Sequence, residues 1–401
     1  MTDETTAARP LPLEGIRVLD LGRIYQGPWC GTLLALAGAS VVKIEEPGGE
    51  PARQRGGAGG TTVPVAMLNS NKQAITLNLK HERGRALFLD LVRGADVIIE
   101  NFGPGVMDRL GVGPARLLEV NPRLVYGGAT GYGVEGPDRD RLALDITIQA
   151  HSGVMSVTGF PGHGPVKAGV AFVDFLGATH LYGGIVTALY ERERTGRGRV
   201  VDIAMIDTVY PTLASNMSAY YREGVAARYG NGHGGGAVFP YDVFPTSDGH
   251  VAILVVTSRQ WPKLCEAMGR PELIDDPRFS TIGRRYHHGS EVNALVTEWT
   301  RTLTRDEVVA SLTEARVPVA AVRDVGELLD DAHLVERGAI QHLDHPELGP
   351  IAVPHSAIRF RGTPIAALRP APAVGADNRD VYRGLGLSDA EIDRLHADGV
   401  V

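Results

Sequence analysis

The chain has 401 residues, 43% hydrophobic and 22% charged. This is the balance of an ordinary soluble globular protein, and two domains are expected because the length exceeds a typical single core. A net charge of −7 leaves no general basic surface and argues against nucleic acid as a partner, while two cysteines, Cys30 and Cys265, exclude a disulfide framework. No uninterrupted apolar run approaches the roughly 18 residues of a membrane span, and the polar start "MTDETTAARP" reads as a short disordered lead-in. A cytoplasmic protein with no membrane partner is the expectation.

"IRVLDL" (16–21) is a compact apolar run that predicts a buried strand. In the next segment, "GRIYQGPWCGTLLALAG", Pro28 suits the first position of a helix and Gly38 suits its stop. "SVVKIE" (40–45) is the following strand, so the three pieces form a βαβ unit and predict a parallel sheet. The alternation continues through "HERGRALFLDLVRGA", "DVIIENF", "PARLLEVNP" and "LVYGGATG", giving a doubly wound α/β layer over 13–131. Beyond Asp174, "ATHLYGGIVTALYERERTG" predicts a helix and "RVVDIAM" a strand. A glycine cluster at 230–240 marks a junction or a mobile loop. Residues 225–330 then read as a smaller α+β domain, with Thr304 and Glu307 in a capping-box pattern. The chain ends in a helix capped by Ser388 and Glu391 and stopped by Gly399.

Several chemical motifs fail on spacing. A dinucleotide fingerprint needs G-x-G-x-x-G after the first strand, whereas the glycines here fall at 22, 27 and 31. Turn and packing roles account for them, and an NAD enzyme is disfavoured. "HGGG" (233–236) imitates an esterase oxyanion loop, but no G-x-S-x-G supplies the nucleophile. The 13 histidines lack metal-ligand spacing, so no metal is expected. What remains is "GVAFVDFLGATHLYGG" (169–184), where one carboxylate, Asp174, stands among apolar residues. An unpaired buried carboxylate is costly, so it must be held or used. It could cap the helix that follows, or attack an acyl carbon as a nucleophile. Spacing alone leaves both readings open.

The chain resembles the class III CoA-transferase family, the CaiB–BaiF type. The resemblance runs through "PLEGIRVLDLGRIYQGPWCGTLLALAGASVVKIEEPGGEPAR", "NSNKQAITLNLKHERGRALFLDLVRGADVIIENFGPGVMDRLG", "TGYGVEGP", "DITIQAHSGVMSVTG", "VDFLGATHLYGGIVTALYERERTGRGRVVDIAM" and "LGLSDAEIDRLHADGVV". It implies an α/β fold: a large Rossmann-like CoA-binding domain built from both chain ends (1–224 and 331–401) and a smaller inserted α+β domain (225–330). It also implies an interlocked homodimer.

The family's catalytic aspartate falls on Asp174. The implied reaction moves CoA between carboxylic acids with no tightly bound cofactor, acyl-CoA and a small carboxylic acid being the substrates. Gln26 then matches a position beside the thioester. Gly234 and Gly235 belong to a loop resembling the family's mobile cover. Asn101, Phe102, Gly103 and Arg109, in "NFGPGVMDR", match the CoA-binding segment, with Lys43 and Arg53 as further cations. Asp145 matches an acidic position near the site, where a structural hydrogen-bond acceptor is the other reading. The racemase relatives carry a histidine before that acidic residue; here Leu144 stands there and cannot move a proton. A CoA-binding protein without catalysis is the rival from another class. The family's lysine in this loop is also missing, since "RLAL" offers only Arg141. Tyr25, Trp29, Phe172 and Phe175 raise the expectation of a bulky or aromatic acyl group.

Overall fold

The computed structural model describes residues 9–54, 61–233 and 238–401. The start of the expected lead-in, and Gly234 and Gly235 of the expected covering loop, lie outside the described residues.

Six strands form one parallel sheet: β1 (Arg17–Asp20), β2 (Ser40–Glu45), β3 (Gln73–Thr76), β4 (Val97–Glu100), β5 (Val125–Thr130) and β6 (Val200–Ala204). Their order is β3-β2-β1-β4-β5-β6, the doubly wound arrangement. β4 and β5 are buried along their whole lengths, as central parallel strands are when helices cover both faces. Alternate residues serve opposite cores. Leu19, Ile98 and Tyr126 face one layer with Leu87, Phe88 and Tyr382; Val18, Val97, Ile99 and Val125 face the other with Leu34, Leu181 and Ile185.

The first helix, Gln26–Leu36, and a long helix, Phe172–Thr195, supply that second layer. The long helix is long and apolar enough to cross a membrane by length and composition alone. Its apolarity is used by the sheet: Val173, Ala178, Leu181, Ile185 and Leu189 are buried. The C-terminal chain returns to the β3 edge, where Asp377 accepts the Ala74 amide at 2.7 Å and Asn378 accepts the Thr76 amide at 2.8 Å.

The glycines at 22, 27 and 31 are packing glycines. A Cβ on Gly22 would lie 2.6 Å from the Gly27 Cα, and one on Gly31 would lie 2.4 Å from the Asp20 carboxylate. The helix begins at Gln26, two residues before the predicted Pro28 start, and Gly38, at φ +108, follows its end.

The chain divides into two compact units. One comprises the described residues of Met1–Ile148, Val170–Val209 and Leu329–Val401; the other is Gln149–Gly169 with Tyr210–Leu328. Residues 149–169 and 210–224 thus group with the second unit rather than with the large domain, a boundary the composition shift at the glycine cluster does not mark. The second unit holds a three-stranded antiparallel sheet, β7 (Tyr241–Pro245), β8 (His250–Leu254) and β9 (Val319–Ala321), in that order. Phe244, Ile253, Trp261, Leu264, Phe279 and Leu312 form its core. Both predicted capping boxes are present, at Thr304 with Glu307 and at Ser388 with Glu391. A hairpin of β10 (Ile340–His345) and β11 (Gly349–Pro354) belongs to the larger unit.

Candidate active site

In a doubly wound sheet, ligands settle beyond the carboxyl ends of the strands where the order reverses, here between β1 and β4. Two loops leave the sheet at that point. The Asn101 side chain joins them: its Oδ1 accepts the Arg23 amide at 2.7 Å and its Nδ2 donates to the Arg23 carbonyl at 3.0 Å. The amide matched to CoA binding is therefore engaged in holding the β1 loop. Glu100 holds the other loop by accepting the Phe102 amide at 2.7 Å and the Tyr126 hydroxyl at 2.9 Å. Burial pushes the Glu100 carboxyl up to about 7, against the pull of those two hydrogen bonds. The Arg23 guanidinium lies over the Phe102 ring, 4.6 Å from its centroid, and pairs with Glu46 at 3.0 Å.

Asp174 arrives from the second layer. Its helix begins at Phe172 with Ala171 as the flanking residue, so Asp174 is inside the first turn and does not cap it. That settles against the cap reading. The acceptor for an early amide comes instead from Asp145, whose Oδ2 accepts the Val173 N–H at 2.9 Å. Two carboxylates thus crowd the same helix end. Burial, and then the charge of Asp145, push the Asp174 carboxyl up to about 7. The positive end of the helix dipole works in the opposite sense, and the balance leaves Asp174 able to change charge near neutrality.

Asp174 lines a cavity of about 360 Å3 at the switch point, together with Gln26, Asn101, Phe102 and Gly103. These are five of the residues the sequence singled out. Thr130, Arg139, Arg141, Leu142, Ala143, Leu144 and Met205 complete much of its wall. Leu142, the residue at the missing lysine, is 95% exposed on that rim. Among the described residues no histidine lines this cavity, which leaves a histidine proton shuttle without a member there.

Two further cavities adjoin through shared walls. One of about 240 Å3 lies over the ends of β2 and β3, with Leu21, Ile44, Leu77, Leu79 and Leu110 as apolar wall. The other, about 470 Å3, lies over β4, β5 and β6 and contains Arg109, Glu100 and Asp202. Phe102 and Val106 line all three.

Other expectations fare differently. Arg109 does not line the Asp174 cavity. Arg53 is buried in a bidentate pair with Glu45, at 2.8 and 3.0 Å, and also donates to the Pro372 carbonyl. Lys43 is buried, with its ammonium 3.5 Å from Glu50 and donating to the Gly22 carbonyl. Both cations are paired within the fold, and Lys43 also lines the 240 Å3 cavity. Phe175 packs on Tyr25 at 5.9 Å and on Trp29 at 5.6 Å, and none of the three, nor Phe172, lines the cavity. The basis for expecting an aromatic acyl group is gone. Among the described residues no group of three or more His, Cys, Asp and Glu could hold a metal ion.

Sequence reading missed Gly177. A Cβ there would lie 2.4 Å from the Gln26 Nε2. The available signal was a glycine three residues beyond the lone aspartate, directly before the predicted helix.

Comparison with known proteins shows the family. The CoA-transferase family III model matches residues 13–378. The chain is 35% identical to succinyl-CoA–D-citramalate CoA-transferase of Chloroflexus aurantiacus over 398 residues, covering 98% of each chain. It is 36% identical to formyl-CoA:oxalate CoA-transferase of Streptomyces avermitilis over 407 residues, covering 97% of this chain and 99% of that one. A crystal structure of a CaiB/BaiF family protein from Brucella suis superposes with a TM-score of 0.83 at 32% identity, covering 94% of this chain and all of the other. The chain therefore belongs to the class III CoA-transferases, the CaiB/BaiF family, and its enzymatic role is CoA transfer.

Proposed function

We propose that the protein transfers CoA from an acyl-CoA donor to a small carboxylic acid by covalent catalysis on Asp174. The observation that carries this reading is the Asp174 carboxyl in a first helical turn, pushed up to about 7, in the wall of a switch-point cavity. The ionised carboxylate attacks the thioester carbonyl carbon. A C–O bond forms, the C–S bond breaks, and the products are an acyl-aspartyl anhydride and CoA thiolate. The thiolate then attacks the Asp174 carbonyl, releasing the donor acid and leaving an aspartyl-CoA thioester. The acceptor carboxylate attacks that thioester, and the thiolate finally takes the new acyl group, which returns the Asp174 carboxylate. No proton or electron is consumed over the cycle.

Both intermediates hydrolyse, so water must be kept from the site. Gly234 and Gly235 are assigned to a covering loop in this proposal, on the resemblance alone. Each carbonyl attack places negative charge on an oxygen, and Gln26 is the donor assigned to it. For CoA itself, the 240 Å3 cavity, where an apolar wall meets charged residues that include Arg23, Lys43, Lys80 and Glu46, suits the adenine, and the Asp174 cavity suits the thioester end. Phe102 and Val106, which line both, would form the wall between them, with Gly103 on the Asp174 side. Arg109, exposed in the wall of the 470 Å3 cavity and 3.5 Å from the Pro104 carbonyl, remains the cation assigned to a phosphate. Asp145 is assigned a supporting role, fixing the helix end and raising the pKa of its neighbour.

Curated relatives act on succinyl-CoA or formyl-CoA by name, so these are the donors to try first. An interlocked homodimer in the cytoplasm completes the proposal, and light scattering giving twice the chain mass would support the dimer. The decisive variant is Asp174→Asn, assayed for transfer with succinyl-CoA and for binding of CoA alone. Transfer lost with CoA binding kept supports covalent catalysis. Transfer retained would overturn it, and a wild-type protein that binds CoA without transferring it would be a plain CoA-binding protein.

A further inference from the structure

Glycine is a poor residue for a helix interior, because it adds backbone freedom to the unfolded chain and no packing to the folded one. Where one occurs, something must occupy the space a side chain would take. The long helix Phe172–Thr195 contains three. Gly183 meets nothing within 4 Å. A Cβ on Gly184 would run into Val201 at 2.7 Å, so that glycine lets the helix settle on the apolar sheet. Gly177 is different. Its missing side chain is replaced by a polar group from another element: a Cβ would lie 2.4 Å from Nε2 of Gln26, 3.2 Å from its Cδ and 3.4 Å from its Cγ.

The Gln26 amide is unusual as well. The residue is 2% exposed, and its Nε2 is buried with no hydrogen-bond partner among the described residues. A buried donor without an acceptor is costly and calls for an explanation. Gln26 opens the first helix and lines the same cavity as Asp174. Gly177 lies three residues beyond Asp174, a spacing that stacks the two on one face of the helix. The recess left by Gly177 therefore holds an unsatisfied N–H donor one turn along from the carboxylate.

We propose that Gly177 is a positioning residue: its bare Cα forms the seat that holds the Gln26 amide ready to donate to the acyl oxygen as charge builds there during attack by Asp174. The inference rests on the covalent reading above and adds to it. The donor is left without a partner in the resting protein because its acceptor, the oxyanion, exists only during reaction. A side chain at 177 would push the amide out of its seat without touching the nucleophile.

The test is a cycle of Gly177→Ala, Gln26→Ala and the double variant. It is read as kcat with succinyl-CoA or formyl-CoA, dissociation constant for CoA alone, and melting temperature. Gly177→Ala is expected to lower kcat about 100-fold, the scale of losing one oxyanion donor, with CoA affinity within about threefold. The melting temperature is expected to hold. In the Gln26→Ala background, where the amide is gone and the space is free, adding Gly177→Ala is expected to change kcat less than threefold. Equal losses in both backgrounds, or a loss tracking the melting temperature, would mean a merely structural glycine and overturn the inference. The covalent reading is scored separately on the wild-type protein. If hydroxylamine converts Asp174 to its hydroxamate in wild type and in Gly177→Ala at equal rates, expelling the bound acid or CoA thiolate, only the seat is wrong; if it forms none on wild type while transfer proceeds, the underlying reading fails.

Discussion

Two regions of the larger unit handle buried charge in opposite ways. Beneath the β1 and β2 ends, each buried charge has its counter-ion: Asp20 with Lys72 at 2.7 Å, Glu45 with Arg53 at 2.8 Å, Lys43 with Glu50 at 3.5 Å. Lys72 also donates to the Pro28 carbonyl and to Asn69. At the start of the long helix the pattern reverses. Asp174 has a second carboxylate, Asp145, as its charged neighbour, and the Gln26 Nε2 has no acceptor among the described residues. Desolvation penalises both regions; the first sets an opposite charge against each of these groups, the Glu50 Oε1 having its 3.5 Å ion pair but no hydrogen bond among the described residues, and the second sets like charge against like. That second pattern marks where the molecule is arranged for a state other than its resting one.

Breaking each region should therefore give opposite outcomes. The largest effect is expected from Asp174→Asn, which removes the nucleophile: transfer should fall on the order of 10^4-fold or more in a steady-state assay, with the fold intact. Lys72→Met strikes the paired region. It strands Asp20 without its ion, and thermal melting should show a loss of about 3–5 kcal/mol with no specific change in chemistry in the surviving folded protein.

The same Asp174→Asn variant sharpens the contrast through stability. A carboxyl pushed up to about 7 in the folded chain and near 3.8 when unfolded binds more protons folded than unfolded between those values. Stability contributed by that group is thus greatest at low pH and declines as pH rises from about 4 to about 7. Asparagine carries no such penalty. Denaturant melts at pH 8 should place Asp174→Asn on the order of 2 kcal/mol above wild type, relative to the same comparison at pH 4. A nucleophile that costs stability is the signature sought; the Lys72 variant should be destabilised at both values.

The smallest effect concerns the neighbour. Catalysis needs ionised Asp174, so kcat/KM should fall as pH drops through about 7. Asp145→Asn keeps an oxygen for the Val173 amide but removes the like charge. The acid limb of the profile should then move toward lower pH, by about one unit or less.

How much of this was legible beforehand follows from the range over which each feature is encoded. The βαβ alternation is local: "IRVLDL" and "SVVKIE" are apolar runs of strand length, and both form the predicted strands. The capping boxes at Thr304 and Ser388 are local for the same reason. The lone Asp174 in an apolar segment was visible as an anomaly. Its exact place was not, because the group that accepts the first-turn amide lies 28 residues earlier, in Asp145. Lys43 and Arg53 looked like cations awaiting a phosphate because their partners, Glu50 and Glu45, declare themselves only once β2 and the turn after it are folded. The aromatic residues misled in the same way. Helical phase turns Phe175 toward Tyr25 and Trp29 and away from the cavity. Residues 149–169 and 210–224 fell on the wrong side of the domain boundary because membership of a core is a property of contacts and leaves no change in composition.

The most direct test of the central claim is peptide mass spectrometry after incubation with succinyl-CoA or formyl-CoA and quenching with hydroxylamine. A hydroxamate is expected on the peptide that contains Asp174, formed from the aspartyl-CoA thioester or the anhydride, and absent in Asp174→Asn. An unmodified Asp174 peptide in a protein that is turning over the same donor would contradict it.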